Sequence, residues 1–195
     1  MEALTHIVDK EAATLAFAKV FFYLAPRMYF SEYVEKKIIV YPTGWGRKQS
    51  FWRALTQASL RTGERFCYAT RLNFKNSNVS EEEKFIVDLY NDSYRDVDKA
   101  ITAINSINNA YYSLNANWCV YDSDDWYMLV GGTSKFIEYF LQEYPEADEE
   151  AEELIYEWFA KNLSESERYS YAQKLLKTIY NEKEYAKIVA EYIDD

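Results

Sequence analysis

Histidine is nearly missing from this chain of 195 residues, which contains only His6. Enzymes that activate a serine or cysteine nucleophile need a positioned base, and that base is most often histidine. The sequence therefore argues against a histidine-dependent mechanism. We expect no catalytic residue, and the sequence favours a protein that is not an enzyme.

Cysteine is also scarce: Cys67 and Cys119 stand far apart, in segments that have the composition of buried strands. Neither belongs to a CxxC motif, and two cysteines with one histidine cannot complete the closed four-ligand set of a zinc site. We therefore predict two reduced thiols in the core, no metal site and no cofactor.

Long apolar runs, glycine and proline are lacking as well. No run approaches the ~20 apolar residues that cross a membrane, and residues 1–6 do not have the basic-then-apolar order of a signal peptide. We expect a cytoplasmic protein without a membrane partner. With five glycines and three prolines, the chain has little of the turn chemistry that an all-β fold requires.

Apolar and aromatic residues are abundant and make up 49% and 18% of the chain, which is enough for the core of a single domain over residues 1–195. Apolar residues at helical spacing predict helices at 9–25, 48–62, 80–111 with a break near 91–93, 134–144, 147–162, 165–180 and 182–192. β-Branched and aromatic runs predict strands at 37–41, 65–74, 117–121 and 126–130, the last two as a β-hairpin. The expected fold class is α+β and helix-dominated, with a small antiparallel sheet and its hairpin packed against several helices.

Charge is divided unevenly along the chain. Residues 1–75 carry 12 Lys/Arg and 6 Asp/Glu, a charge of +6, whereas residues 76–195 carry 10 and 26, a charge of −16. Such asymmetry bears on partners and association rates rather than on the fold. We therefore distinguish a basic N-terminal segment, 1–75, from an acidic helical segment, 76–195. The polarity also permits a homodimer, by docking of basic on acidic faces or through a two-fold apolar patch.

The predicted helix in this region, taken from Glu146 to Asn162, carries five glutamates along one side, and each helical turn advances ~5.4 Å. They are Glu146, Glu149, Glu150, Glu153 and Glu157. A rigid row with this spacing imitates the phosphates of a nucleic acid strand. The row predicts a binding protein that antagonises a nucleic-acid-handling protein by occupying its basic surface, as a DNA mimic does. A solvated face that keeps the protein soluble would have the same composition.

Two observations extend the acidic hypothesis. The predicted helix that the capping box Ser80-Glu81-Glu82-Glu83 opens carries a second acidic set: Glu81, Glu82, Glu83, Asp88, Asp92, Asp96 and Asp98. In addition, small acidic, aromatic-rich chains without catalytic residues are typical of inhibitors and immunity proteins, including those that phages and mobile elements encode.

The basic segment supports an alternative hypothesis. Residues 43–48 form a glycine-containing turn that leads into a helix, where backbone N–H groups can hold an anion. Arg47, Lys48 and Arg53 would neutralise a phosphate, and Trp45 or Trp52 would stack on a base. Residues 44–71 would then form a phosphate-ligand or nucleotide-binding module, or part of an enzyme. Direct nucleic-acid binding is less favoured, because the charge of −16 on the remaining chain repels a polyanion.

Two loops have simpler interpretations. Asp122-Ser123-Asp124-Asp125 is rich in oxygen ligands but lacks the glycine and glutamate that an EF-hand loop needs, so it predicts a hairpin turn. The segment 130–135 follows a strand and opens a helix but lacks P-loop spacing. We expect Thr133 or Ser134 to be an ordinary helix N-cap.

Overall fold

The computed structural model describes residues 9–24, 27–41, 44–75, 78–91, 97, 108–123, 127–160 and 167–192. The helices in these ranges are α1 (Lys10–Val20), α2 (Gly44–Arg61), α3 (Ser134–Glu143), α4 (Ala147–Ala160), α5 (Glu167–Ile179) and α6 (Glu182–Tyr192). The strands are β1 (Phe21–Leu24), β2 (Arg27–Phe30), β3 (Lys36–Val40), β4 (Phe66–Lys75), β5 (Asn78–Asp88), β6 (Asn108–Ser113), β7 (Trp118–Asp122) and β8 (Met128–Gly132).

Six of the strands form one antiparallel sheet in the order β3-β8-β7-β6-β4-β5. The remaining two, β1 and β2, pair with each other in a separate antiparallel sheet. The large sheet takes β3 and β4 from the basic segment of the sequence and its other four strands from the acidic segment. The two charge segments therefore interleave in a single sheet.

Helices cover both faces of this sheet. On the first face, α2 and α3 pack against the strands in a cluster that includes Phe51, Trp52, Phe136, Phe140 and Trp118. On the second face lie α1, the β1–β2 sheet, α4 and α5, in a cluster that includes Phe17, Phe30, Leu154, Leu175 and Tyr112. Because both faces of the sheet are covered and successive side chains of a strand point to opposite faces, the inner strands β7 and β8 are buried on both sides and are mostly apolar.

Two glycines of β8 permit this close packing. A Cβ at Gly131 would lie 2.6 Å from Cγ1 of Val34, and a Cβ at Gly132 would lie 2.9 Å from the backbone oxygen of Asn117. Both glycines are buried and pair with β3 and β7. They therefore serve the packing of the sheet, with Thr133 directly after them as the N-cap of α3.

The expectation of a helix-dominated fold with a small sheet was wrong. Of the segment predicted as a helix at 80–111, the part up to Asp88 belongs to β5 and the end belongs to β6, while residues 98–107 lie outside the described residues. The physical reason lies in Phe85, Ile86 and Val87. Phe85 and Val87 pack on the first face and Ile86 on the second. Consecutive apolar residues suit a strand that is covered on both sides, and this pairing with β4 overrides the local capping-box signal.

The first predicted helix also ends earlier than expected. Asp9 caps α1 as predicted, since its Oδ1 accepts hydrogen bonds from the backbone N–H groups of Glu11 and Ala12. The helix stops at Val20, and Phe21 begins β1, which pairs with β2. The hydroxyl of Ser31 donates to the backbone oxygen of Lys19 at 2.6 Å. This bond satisfies a carbonyl at the helix end and fixes the early termination.

Most other predicted elements are confirmed. The strands at 37–41 and 65–74, the β-hairpin, which is formed by β7 and β8, and the helices that start near 48, 134, 147, 165 and 182 all occur, with ends shifted by a few residues. Gly63 follows α2 with a φ of 86°, a left-handed conformation that glycine adopts without strain at a helix end. Within the described ranges, no helix has the length and apolar character to cross a membrane.

Candidate functional site

The helix α4 carries the predicted row of glutamates, and its apolar stripe fixes which way the row faces. Ala151 and Leu154 are buried against the second face of the sheet, Ile155 packs against the neighbouring helices, and Ala147 at the start of α4 is buried in the cluster of the first face. They recur at the spacing of one side of a helix. The other positions of α4 therefore point towards solvent or lie at the border of the buried stripe.

Two of the five glutamates attach α4 to the end of β3. Glu150 is 1% exposed: its Oε1 accepts a hydrogen bond from the hydroxyl of Tyr144 at 2.7 Å, and its Oε2 accepts one from the backbone N–H of Tyr41 at 3.1 Å. Glu157 is half-buried and accepts a hydrogen bond from the side chain of Tyr41. Burial raises the pKa of Tyr41, and the charge and hydrogen bond of Glu157 and the charge of Glu153 raise it further. Glu150 is therefore an anchor of α4 and does not face a partner.

The outward side of α4 holds a set of carboxylates that we call the acidic ridge. Its members are the exposed Glu146, Asp148, Glu149, Glu152 and Glu153. The sequence has no Lys, Arg or His from residue 136 to residue 160. The field of the ridge extends to Tyr180, whose pKa is raised to about 12 by burial and by the charges of Asp148, Glu184 and Glu152.

Tyr156 stands beside the ridge and is 61% exposed. It follows Glu152 by four positions and Glu153 by three, so it shares their side of the helix. Sequence reasoning missed this residue. The available signal was a tyrosine that falls off the apolar stripe of an otherwise acidic helix, which places a large aromatic ring on the surface.

Basic residues near α2 and β4 are largely held in contacts within the protein. Arg61 lies over the ring of Tyr139 at 3.7 Å, donates to Oε1 of Gln142 at 3.0 Å and lies 3.6 Å from Oε1 of Glu143. Arg71 is 2% exposed. On β3, burial lowers the pKa of Lys37. The positive charge of the basic segment is therefore partly neutralised or covered, in contrast to the acidic ridge.

Asp88, a member of the second predicted acidic set, is engaged in the same way. Arg65 donates to it through Nε at 3.0 Å and Nη2 at 2.6 Å, and the backbone of Tyr90 and the side chain of Asn91 donate to it as well. The Arg65 guanidinium and these donors hold the pKa of Asp88 down, at about 2. Glu81, Glu82 and Glu83 lie in the edge strand β5 rather than on a helix. Asp92, Asp96 and Asp98 lie outside the described residues.

The residues of the alternative phosphate site do not form one cluster. Lys48 is half-buried, and Arg53 is exposed five positions later, about 140° around the helix from Lys48. Trp52 is 5% exposed and packs edge-on against Tyr111 with ring centroids 5.5 Å apart, so its faces are covered by the core. Trp45 and Arg47 fall in the first turn of α2, and their side chains lie outside the described part.

The N-terminus of α3 follows the glycine-containing segment 130–135, the other candidate for binding an anion. Side chains of the protein itself accept hydrogen bonds from its backbone N–H groups. The hydroxyl oxygen of Thr133 accepts a hydrogen bond from the backbone N–H of Phe136 at 3.2 Å, which confirms the predicted N-cap. The carboxylate of Glu35 accepts a hydrogen bond from the backbone N–H of Ser134 at 2.8 Å. An internal anion thus satisfies this helix end.

Metal and redox sites gain no support from the geometry. Among the described residues, no group of three or more His, Cys, Asp or Glu side chains could hold a metal ion. Asp122 ends β7, while Asp124 and Asp125 lie outside the described ranges. Cys67 and Cys119 are buried and form no disulfide, as predicted, and they point to opposite faces of the sheet. Burial raises the pKa of the Cys119 thiol well above its usual value.

One polar feature of the first face was not foreseen. Cross-strand pairing places Arg71 of β4, Asn109 of β6 and Asp122 of β7 side by side in one row of the sheet. Arg71 and Asn109 are buried. The linear sequence has no signal for this row, because it brings together residues from three separate strands through their register.

Comparison with known proteins adds no family to these observations: no protein-family model, no curated protein and no solved structure matches the chain.

Proposed function

We propose that this protein is a non-enzymatic binding protein that antagonises a nucleic-acid-handling protein, and that the acidic ridge of α4 occupies the partner's basic surface. The observation that carries the proposal is the set of exposed carboxylates on α4. The carboxylates of the ridge face solvent along a stretch of sequence without a basic residue, whereas Arg61, Arg65 and Arg71 are held inside the protein's own contacts.

The density of charge on the ridge supports a DNA-like surface. Five exposed carboxylates lie between Glu146 and Glu153, seven residues apart, which is ~10.5 Å along a helix. The ridge thus carries one negative charge per ~2 Å, close to the one per ~1.7 Å of axis that duplex DNA presents. A protein surface that has evolved to neutralise phosphates would meet a similar field on this helix.

Tyr156 supplies the second part of the proposed interface. Tyrosine is enriched among the residues that carry binding energy, and its ring accepts a lysine or arginine side chain on its face. Its 61% exposure leaves the ring accessible beside the carboxylates of Glu152 and Glu153. The partner would place basic side chains over this ring while its remaining charges meet the ridge. The place of action is proposed to be the cytoplasm, where the thiols of Cys67 and Cys119 stay reduced.

The proposal is tested by competition for DNA. Duplex-DNA-binding proteins and nucleases are each loaded with labelled DNA, and its release by this protein is followed by fluorescence anisotropy at about 50 mM and 300 mM salt. For a true target, we expect release at low salt that weakens steeply at high salt. If no protein of the panel releases DNA at low salt, the proposal is wrong.

A pair of charge reversals locates the surface. Glu149→Lys combined with Glu153→Lys should abolish release, because it introduces two cations in the middle of the ridge. Glu11→Lys combined with Glu32→Lys is the matched control: both residues are exposed and lie outside α4, and the net charge changes by the same amount. Equal loss in both double variants would show that net charge alone matters and would overturn the assignment to α4.

A further inference from the structure

The helix α6 is attached to the rest of the protein by few side chains. It packs on α4 and α5. Of its residues up to Ala190, Tyr185, Ile188 and Val189 are half-buried and the others are exposed. A helix of 11 residues is barely stable alone in water, so these contacts decide whether α6 stays formed. An element with so little burial opens at a lower free energy than the core does.

Ile155 shows which side of α4 faces this attachment. It packs in one cluster with Tyr180, which follows α5, and with Tyr185 of α6. Glu152 precedes Ile155 by three positions and Asp148 precedes it by seven, so the three residues share one side of the helix. Two carboxylates of the acidic ridge therefore lie at the border of the contact with α5 and α6.

The turn between α5 and α6 brings a third carboxylate to this border. Oδ1 of Asn181 accepts a hydrogen bond from the backbone N–H of Glu184 at 3.0 Å, and the backbone N–H of Asn181 donates to Oε2 of Glu184 at 3.1 Å. This reciprocal capping holds the Glu184 carboxylate at the turn, directly after Tyr180. Its charge and those of the two ridge carboxylates all raise the pKa of Tyr180, which agrees with this placement.

Like charges at this border oppose the docking of α6. Carboxylates that are neighbours on a helix surface repel each other, and the repulsion has more effect at α6 than elsewhere because few apolar contacts balance it. One attraction acts in the other direction, since the ammonium of Lys177 lies 5.1 Å from the ring centre of Tyr185. Positive charges placed among the carboxylates would lower the repulsion.

We propose that α6 is a latch whose closing is coupled to the occupancy of the acidic ridge. Positive charges on Asp148 and Glu152 remove the repulsion that Glu184 meets, so that α6 docks more firmly on α4. A basic partner on the ridge therefore closes α6, and by reciprocity a closed α6 strengthens the binding of that partner. The inference rests on the proposed function for its biological partner, whereas the coupling itself is tested with a simple polycation.

Hydrogen exchange at the backbone amides of α6, followed by mass spectrometry at neutral pH and about 50 mM salt, measures the opening of the latch. We expect α6 to exchange faster than β7 and β8. The polyamine spermine should slow the exchange of α6 by about two- to fivefold, the factor that corresponds to the loss of two like-charge contacts.

Two variants show whether Glu184 is the cause. Glu184→Gln removes the charge but keeps an oxygen that accepts from the N–H of Asn181. Its α6 should exchange more slowly without spermine and should lose most of the response to spermine. Glu182→Gln is the matched control, because Glu182 is an exposed acidic residue of the same helix turn and its loss has the same effect on the helix dipole. It should keep the full response.

Three results would overturn the latch: exchange of α6 as slow as that of the sheet, no slowing by spermine, or the same response in the two variants. None of these measurements contains a DNA-binding protein. The latch can therefore fail while a partner releases its DNA, and the latch can hold while no partner does, so the two proposals are tested separately.

Discussion

The charged side chains of α4 and α2 have different surroundings. On α4, exposed carboxylates gather on one side, and the two that turn inward, Glu150 and Glu157, are held by Tyr41 and Tyr144. On α2, Arg61 packs on an aromatic ring and pairs with a carboxylate of α3. Glu150 and Glu157 are thus engaged inside the fold, whereas the carboxylates of the acidic ridge are exposed and repel one another. The comparison therefore separates structural carboxylates from candidate binding carboxylates on one helix.

The largest effect is expected at the inward side of α4. Glu150→Ala should lower the free energy of unfolding by about 3 kcal/mol, because it removes the buried carboxylate that accepts hydrogen bonds from the hydroxyl of Tyr144 and the N–H of Tyr41. Urea denaturation measures the change. Glu149→Ala, the exposed neighbour, should change stability by less than about 0.5 kcal/mol. Equal effects of the two substitutions would contradict the division of α4 into inward and outward carboxylates.

The next effect concerns Asp88 of β5, a carboxylate that several donors hold. Its pKa of about 2 in the folded protein lies below the ordinary value of 3.8, so the charged form stabilises the fold above pH 3.8. That contribution, about 1–2 kcal/mol after allowance for the half-exposed Arg65, is lost as the pH falls from 3.8 towards 2.

Asp88→Asn should therefore destabilise the protein at pH 7 and have little effect near pH 2. Thermal unfolding across this range measures the difference. A gap between the two proteins that stays constant with pH would show that the carboxylate charge is not the cause.

These residues also show how far the sequence alone leads. Helical and strand periodicity predicted most elements, including α4 and its apolar stripe, because local patterns dominate where one face is buried. Periodicity gave the wrong element at β5, where Phe85, Ile86 and Val87 pack against both faces of the sheet. There, pairing with β4 outweighs the capping box, which favours a helix. The inward turn of Glu150 was equally hidden, since its partner Tyr41 lies 109 positions away in the chain.

A smaller effect is expected where the basic segment meets α3. Arg61→Ala should lower the free energy of unfolding by about 1 kcal/mol, because it removes the stacking on Tyr139 together with the contacts to Gln142 and Glu143. Arg61→Lys should recover only part of this loss, since an ammonium lacks the planar shape that stacks on the ring. Arg53→Ala, on the exposed side of α2, should be nearly neutral. Chemical denaturation of the three variants checks the order, and a loss at Arg53 that equals the loss at Arg61 would contradict it.

The smallest effect has the opposite sign and tests whether the acidic ridge is kept for binding. Glu153 follows Glu149 by four positions and precedes Glu157 by four, and like charges at that spacing repel each other by about 0.2–0.5 kcal/mol per pair. Its charge also opposes ionisation of Tyr41. Glu153→Gln should therefore raise the free energy of unfolding by about 0.5 kcal/mol at low salt, and the gain should vanish at 1 M salt, where the Debye length is ~3 Å. The matched control is Glu138→Gln in α3. Glu138 lies three positions after Lys135 and accepts a hydrogen bond from Gln142, so this variant should lose stability slightly.

Denaturation of both variants at the two salt concentrations measures these changes in the free energy of unfolding. A gain at Glu153 together with weaker binding to a target would mean that the ridge opposes stability and serves the partner, whereas a loss of stability at Glu153 would make that carboxylate structural, like Glu150.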